Sequence, residues 1–338
     1  MAYETEDHET QYCFPTNNSS CIKGKRSINE YNVMYMFFSL LSAWTVFLNL
    51  LVIISISHFK KLHTPTNLLI LSLAVADLLS GLIVIPIEAF RLIETCWYFG
   101  DYLCGLFVTI TGLLFSISLS NLVLIAVDRY VGVCLPLLYP QKITMTTTSM
   151  SICFCWFCSL VYNITLVISN NFFDSSQRTD VCFGLCLVMN SSAWRYTDLT
   201  FSFLFPCSLI IILYLRIFYV AHRQVKVINS LLKFGKRGME GSVRRKSESK
   251  AALTLGIIVT IHLLCWLPMY IFSFTGNTEL TSVVVSFLIW VCYINSGLNP
   301  LIYALFYSWF RKSIIHILTL RIFQSASSLK DIFINYQS

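Results

Sequence analysis

Asn295-Ser-Gly-Leu-Asn299-Pro300-Leu-Ile-Tyr303-Ala-Leu-Phe-Tyr307-Ser-Trp309-Phe310 places amides, a proline and tyrosines inside an otherwise apolar run. Hydrocarbon offers no water to such groups, so they must find partners inside a protein bundle. Further apolar runs precede this one at Tyr35–Ile56, Leu68–Pro86, Leu103–Val127, Ile152–Ser169, Leu199–Leu215 and Leu253–Phe274, and the quoted stretch ends the seventh, Val283–Tyr307. Each approaches the roughly 20 residues that cross a bilayer as a helix, and none has the alternation of a barrel strand of about ten residues. Charged residues make up 12% of the 338 positions and hydrophobic ones 56%, which separates the chain from soluble domains. The expected fold is an all-α membrane bundle of seven helices over 33–310, after an N-terminal tail over 1–32 and before a short amphipathic helix and tail over 311–338. No internal repeat is visible, which argues against a solenoid and against inverted transporter halves.

A net charge of +7 invites a nucleic-acid reading, yet the basic residues are segregated. Ten Lys or Arg lie between Arg216 and Lys250 against two acids, Glu240 and Glu248, and Lys60 and Lys61 follow the first helix. Glu4, Glu6, Asp7, Glu9, Glu94, Asp101 and Glu279 fall on the alternate side. This is the positive-inside bias, so the N-terminus is expected outside the plasma membrane and the C-terminus inside, with lipid and not nucleic acid as the partner. Met1–Gln11 is polar and acidic, so the first apolar helix is expected to act as its own uncleaved insertion signal.

On this topology most of the 13 cysteines lie in or beside helices as small apolar residues: Cys134, Cys153, Cys155, Cys158, Cys207, Cys265 and Cys292. Cys13, Cys21, Cys96, Cys104, Cys182 and Cys186 fall on the oxidising face, where they allow about 15 pairings. Asn17, Asn18 and Asn190 begin glycosylation sequons on that same face. Asn163 begins another, at a membrane depth where it should go unused.

Asn49, Asp77, Ser118, Asn295 and Asn299 interrupt apolar helices and suggest one interior network. A single carboxylate among amides and hydroxyls suits a sodium ion or a proton, and equally a structural clasp between helices. Asp128-Arg129-Tyr130 ends the third helix and Glu248 opens the sixth at comparable depth, so opposite charges there can latch the two. Pro206, Pro268 and Pro300 each remove a backbone hydrogen bond within a run, which provides hinges.

Asn49, Asp77, Trp156, Asp128-Arg129-Tyr130, Cys265-Trp266-Leu267-Pro268 and Asn299-Pro300-Leu-Ile-Tyr303 jointly resemble the rhodopsin-like G-protein-coupled receptors, over roughly Tyr35 to Lys312. The pattern from Asn295 to Phe310, with Cys96-Trp-Tyr-Phe-Gly100 and Lys250-Ala-Ala-x-Thr254-Leu-Gly256, is similar to trace amine-associated receptors. The resemblance implies a bridge from Cys104 to Cys186, and an N-terminal tether from Cys182 to Cys13 or Cys21. It implies a toggle role for Trp266, inward movement of Tyr214 and Tyr303, and contact of Arg129 with a G protein once its latch to Asp128 and Glu248 opens.

Most amine receptors of that class place an aspartate on the third helix seven residues after its first cysteine; here the position holds Thr111. A hydroxyl does not balance a cation, and alone this argues against an amine ligand. Asp198, two turns before Pro206, answers it, as in a subset of the family prominent in fish olfaction. The alternatives for Asp198 are an ammonium partner or an ion pair with Arg195. Around it the helices offer Phe115, Ser116, Phe201, Ser202, Trp266, Met269, Tyr270, Ser273, Trp290 and Tyr293. Glu88 is a second acid, either for a diamine or for Arg91 at i+3. His262 stands where the family usually has a phenylalanine. Without a cysteine after Phe310 the tail lacks the usual palmitoylation site, while Arg311, Lys312 and Arg321 with Ile314, Ile315, Leu318 and Phe323 can make it interfacial.

The resemblance therefore implies an olfactory-type receptor for small cationic amines, acting through a stimulatory G protein of the olfactory or general type to raise cyclic AMP. A receptor for a non-amine ligand is the alternative. A transporter would use Asp77 and Asp198 as a route, but no filter or pair of broken helices is present. No Gly-x-Ser-x-Gly, His-Glu-x-x-His or phosphate loop supports an enzyme.

Overall fold

The computed structural model describes residues 11–169, 182–186, 196–233, 256–272 and 282–323. Within them the chain forms α1 (Ile28–His58), α2 (Pro65–Glu94), α3 (Gly100–Cys134), α4 (Met145–Ser169), α5 (Tyr196–Gln224, continuing as helix to Lys233), α6 (Gly256–Phe272), α7 (Ser282–Phe306) and α8 (Ser308–Leu318). Six of these are long and apolar enough to cross a membrane, and α6 is a shorter apolar helix. The first begins earlier than the apolar run suggests. Ser27 accepts from the Glu30 amide and Glu30 reaches back to the Ser27 amide, a capping box that starts α1 at Ile28 rather than at residue 33.

The lipid-facing surface is apolar, and the interior is a largely apolar core that encloses a smaller set of buried polar side chains. On α4, Phe154, Phe157 and Ile168 are exposed while Ser159 and Asn163 are buried. Helix α3 packs against α2, α4 and α5, and α1 against α2, α7 and α8. Trp156 on α4 donates to Ser72 on α2 at 3.1 Å, and Asn49 on α1 donates to the Ser296 carbonyl on α7 at 3.0 Å.

Two prolines reset the register of their helices. The amide before Pro86, that of Ile85, reaches back to the Ser80 carbonyl, and the amide before Pro206, that of Phe205, reaches the Thr200 carbonyl. Each is a π turn that accommodates a ring unable to donate. One extra residue per turn rotates everything upstream by about 100° relative to an uninterrupted α-helix. Pro300 is carried inside α7.

At one end, the segment from Gln11 to Lys23 folds back on itself and is tied down. Cys13 bonds to Cys96, Cys21 to Cys182 and Cys104 to Cys186. Backbone bonds from Cys21 to the Phe183 carbonyl (2.9 Å) and from Phe183 to the Ser19 carbonyl (2.7 Å) complete this cover. At the other end, Arg311 donates to the Ala304 and Leu305 carbonyls at 3.0 and 2.9 Å, filling acceptors left open where α7 stops. Phe310, Ser313 and His316 of α8 face the bundle, while Ile315, Leu318 and Phe323 are exposed.

Candidate functional site

Beneath the disulfide-tied cover lies a cavity of about 320 Å³ between α2, α3, α4, α5, α6 and α7. Among its lining residues the side chains of fixed charge are Glu88, Arg91 and Asp198. Asp198 sits at the start of α5, half-buried, and accepts a 2.8 Å hydrogen bond from the Tyr162 hydroxyl on α4. Arg195 and Ser273 lie outside the described residues. Thr111 lines the cavity, and its buried hydroxyl has no protein partner.

The floor is aromatic. Phe115 and Trp266 stand with ring centres 4.1 Å apart, and Met269 and Tyr293 complete the wall. Tyr270 stands behind that wall, stacked on Phe203 at 4.2 Å. Phe201, expected at the cavity, is 65% exposed on the outside of the bundle. Phe201 follows Asp198 by three residues, a spacing that shares a face in an α-helix, but the π turn at Leu199–Leu204 alters that register. Trp290 also lies away from the cavity, against Phe37 and Phe38 of α1.

Three features of the wall escaped the sequence. Tyr162 is the hydroxyl that orients Asp198. Asn163, noticed only as a sequon, is buried and donates to the Ser159 carbonyl at 2.8 Å and to the Ser116 hydroxyl at 3.2 Å, which crosses from α4 to α3. Gly112 leaves room for it. Ser159 and Asn163, at i and i+4 on an otherwise apolar helix, were the available signal. Cys96 was likewise missed as a partner for Cys13; with Cys104–Cys186 and Cys21–Cys182 placed, elimination alone assigns it.

Below Trp266 is a second void of about 30 Å³, lined by Thr111, Ser118, His262, Trp266, Tyr293 and Asn295 among others. It has room for about two waters. His262 Nδ1 and Asn295 Nδ2 are 3.1 Å apart, and the imidazole lies against Phe115 and Trp266. Asn299 donates to Asp77 at 2.8 Å. The Asp77 Oδ1 and Asn295 Oδ1 atoms are buried acceptors without a protein partner.

A family model described as the 7 transmembrane receptor (rhodopsin family) matches residues 48–303. The chain is 39% identical over 330 residues to trace amine-associated receptor 13c of Danio rerio, covering 96% of both chains. It is 35% identical to trace amine-associated receptor 2 of Homo sapiens, again covering 96% of both, and 38% identical to receptor 7a of Mus musculus, covering 96% of this chain and 92% of the relative. The chain belongs to the trace amine-associated receptors. It is therefore a multi-pass membrane receptor of the rhodopsin family and not an enzyme.

At the opposite end of this receptor from the disulfides, Asp128 is 2% exposed and its carboxylate is fully engaged. Arg129 Nε donates to it at 2.8 Å, the Thr66 hydroxyl at 2.9 Å and the Tyr139 hydroxyl at 3.0 Å. Burial, and then the Asp128 charge, push the Tyr139 phenol above its ordinary pKa, so it stays a donor. Tyr130 packs at the edge of the core. Tyr214 and Tyr303 are buried with hydroxyls that have no protein partner, so both are free to take new hydrogen bonds if the helices shift. Glu248 and Asn190 lie outside the described residues. Asn18 is exposed and Asn17 partly so, in the turn between Cys13 and Cys21.

Proposed function

We propose that this receptor senses small cationic amines, with the ligand ammonium paired to Asp198. The observation that carries this is the Asp198 carboxylate facing a largely apolar cavity while the third-helix position, Thr111, is neutral. A cation in such a space needs a fixed negative partner, and Phe115, Trp266 and Tyr293 add ring faces worth about 0.5–2 kcal/mol each to an ammonium. The names of the relatives, trace amine-associated receptors, agree with that class.

Binding draws α5 toward α6 at the cavity, turns Trp266 against Phe115, tilts α6 about Pro268 and loosens the Asp128–Arg129 end. Arg129 then meets a stimulatory heterotrimeric G protein, raising cyclic AMP, at the plasma membrane and in olfactory cilia. Disulfides and the sequons at Asn17 and Asn18 at one end, with basic residues following α5 at the other, support an extracellular N-terminus. Asp77, Ser118, Asn295 and Asn299 would hold a sodium ion, since orphaned carboxylate and amide oxygens are the donors a hard cation takes. Its charge would stabilise the buried carboxylate.

The test is Asp198→Asn. Truncating one side of a desolvated charge pair costs on the order of 2–5 kcal/mol, so amine potency should fall at least about thirtyfold with surface expression intact. A cyclic AMP reporter challenged with primary, tertiary and diamine ligands measures it. Unchanged amine potency in Asp198→Asn would leave a receptor for another ligand class.

A further inference from the structure

The cavity holds two carboxylates, but the second is already taken. Glu88 on α2 is 2% exposed, and Arg91, one turn later, grips it with both faces of its fork: Nε donates to Oε2 at 3.1 Å and Nη2 to Oε1. The Arg91 Nη1 atom donates to the Cys186 carbonyl at 3.0 Å. That carbonyl belongs to the segment tied to α3 by the Cys104–Cys186 bridge, so the guanidinium is held between α2 and the covalently anchored cover. Both residues line the cavity.

Charge accounting over the lining then gives Glu88 and Asp198 negative and Arg91 positive, a balance of one negative charge. One ammonium closes it. A second ammonium would meet a carboxylate whose oxygens are both occupied, beside a fixed cation, in a medium that screens poorly. We propose that Arg91 is a specificity-determining residue that restricts this cavity to monoammonium ligands and turns away diamines. Glu88 is thus a latent second amine site, closed by its neighbour. Removing Arg91 opens it. This inference rests on the Asp198 reading and assigns the charge class of its ligand.

The experiment uses the full-length receptor purified in detergent, with thermal stabilisation as the readout, so no G-protein step intervenes. The probes are hexylamine and hexamethylenediamine, equal in chain length and different by one ammonium. The wild type should bind hexylamine at least about tenfold more tightly than the diamine, since an uncompensated second charge is costly in such a site. Arg91→Gln should move the ratio by about tenfold or more toward the diamine. Glu88→Gln leaves Arg91 as an unbalanced cation in the cavity and should weaken both probes, the diamine at least as much as hexylamine, and Glu88→Gln with Arg91→Gln should restore the preference for hexylamine.

Equal affinity of the wild type for the two probes overturns the inference, as does an Arg91→Gln ratio within about twofold of wild type. If Arg91→Gln does not fold, the wild-type ratio and the Glu88→Gln loss decide the matter. Binding of neither probe to the wild type sinks the Asp198 reading itself; binding of both equally sinks only the role of Arg91.

Discussion

Gly112 tests the construction of the cavity wall. A methyl group placed there would lie 2.1 Å from Asn163 Oδ1 and 3.1 Å from its Cγ, against a floor of 3.0 Å for real Cβ contacts, so the amide must retreat by about 0.9 Å. It has nowhere inexpensive to go. Its Nδ2 is committed to the Ser159 carbonyl at 2.8 Å and the Ser116 hydroxyl at 3.2 Å, and the residue is 6% exposed. Hydrogen bonds inside membrane bundles average about 0.6 kcal/mol with a maximum near 1.7, so losing two costs about 1–3 kcal/mol. Overpacking adds about 1–3 kcal/mol. Alanine returns up to about 1 kcal/mol through helix propensity. The net expectation for Gly112→Ala is a destabilisation of about 1–6 kcal/mol, seen as a lower Tm of the purified receptor. In an Asn163→Ala background the obstacle is gone, and the same substitution should become neutral or stabilising by up to about 1 kcal/mol. The sign reversal is the diagnostic. Were Gly112→Ala harmless in the wild type, or equally costly without Asn163, the α3–α4 contact described above would be wrong.

Asp77→Asn should abolish sodium-dependent stabilisation: raising NaCl to about ten times its Kd is worth about 1.4 kcal/mol by mass action, and Tm compared in sodium and choline salts measures its loss. Persistence of the sodium effect in that variant would move the ion elsewhere. Cys13→Ser and Cys96→Ser should destabilise the receptor equally, by about 2–4 kcal/mol, with no further loss in the double variant, because they break one bridge closing a separation of 83 residues. Non-reducing peptide mapping that found Cys13 joined to Cys182 would refute this assignment.

The bundle was legible because lipid imposes a simple rule, an apolar exterior with every backbone polar group satisfied within its segment, which seven long apolar runs with a handful of polar interruptions meet as packed helices. The expected interior polar network was half legible. Asp77 and Asn299 do meet, but Asn295 turns to His262, a residue whose role in that cluster no spacing rule announces. Asn163 was placed at membrane depth as an unused sequon, but its partners, the Ser159 carbonyl and the Ser116 hydroxyl of the neighbouring helix, follow from helix packing that no motif encodes.

Helix α5 shows most plainly where pattern gives out. Asp198 is counted from Pro206 and Phe201 is taken as its neighbour on the same helix, and both lie at or before the π turn that Pro206 imposes. The aromatic side chain ends on the lipid face. Asp198 remains at the cavity because a carboxylate has no stable alternative in hydrocarbon and because Tyr162 supplies a donor from the neighbouring helix. For an apolar residue either face is tolerable, so a shifted register relocates it freely. For a charged one the solvent chooses the face. Charged positions in this membrane bundle are therefore the more reliable part of a site derived from sequence, and the apolar walls around them depend on each proline's local geometry.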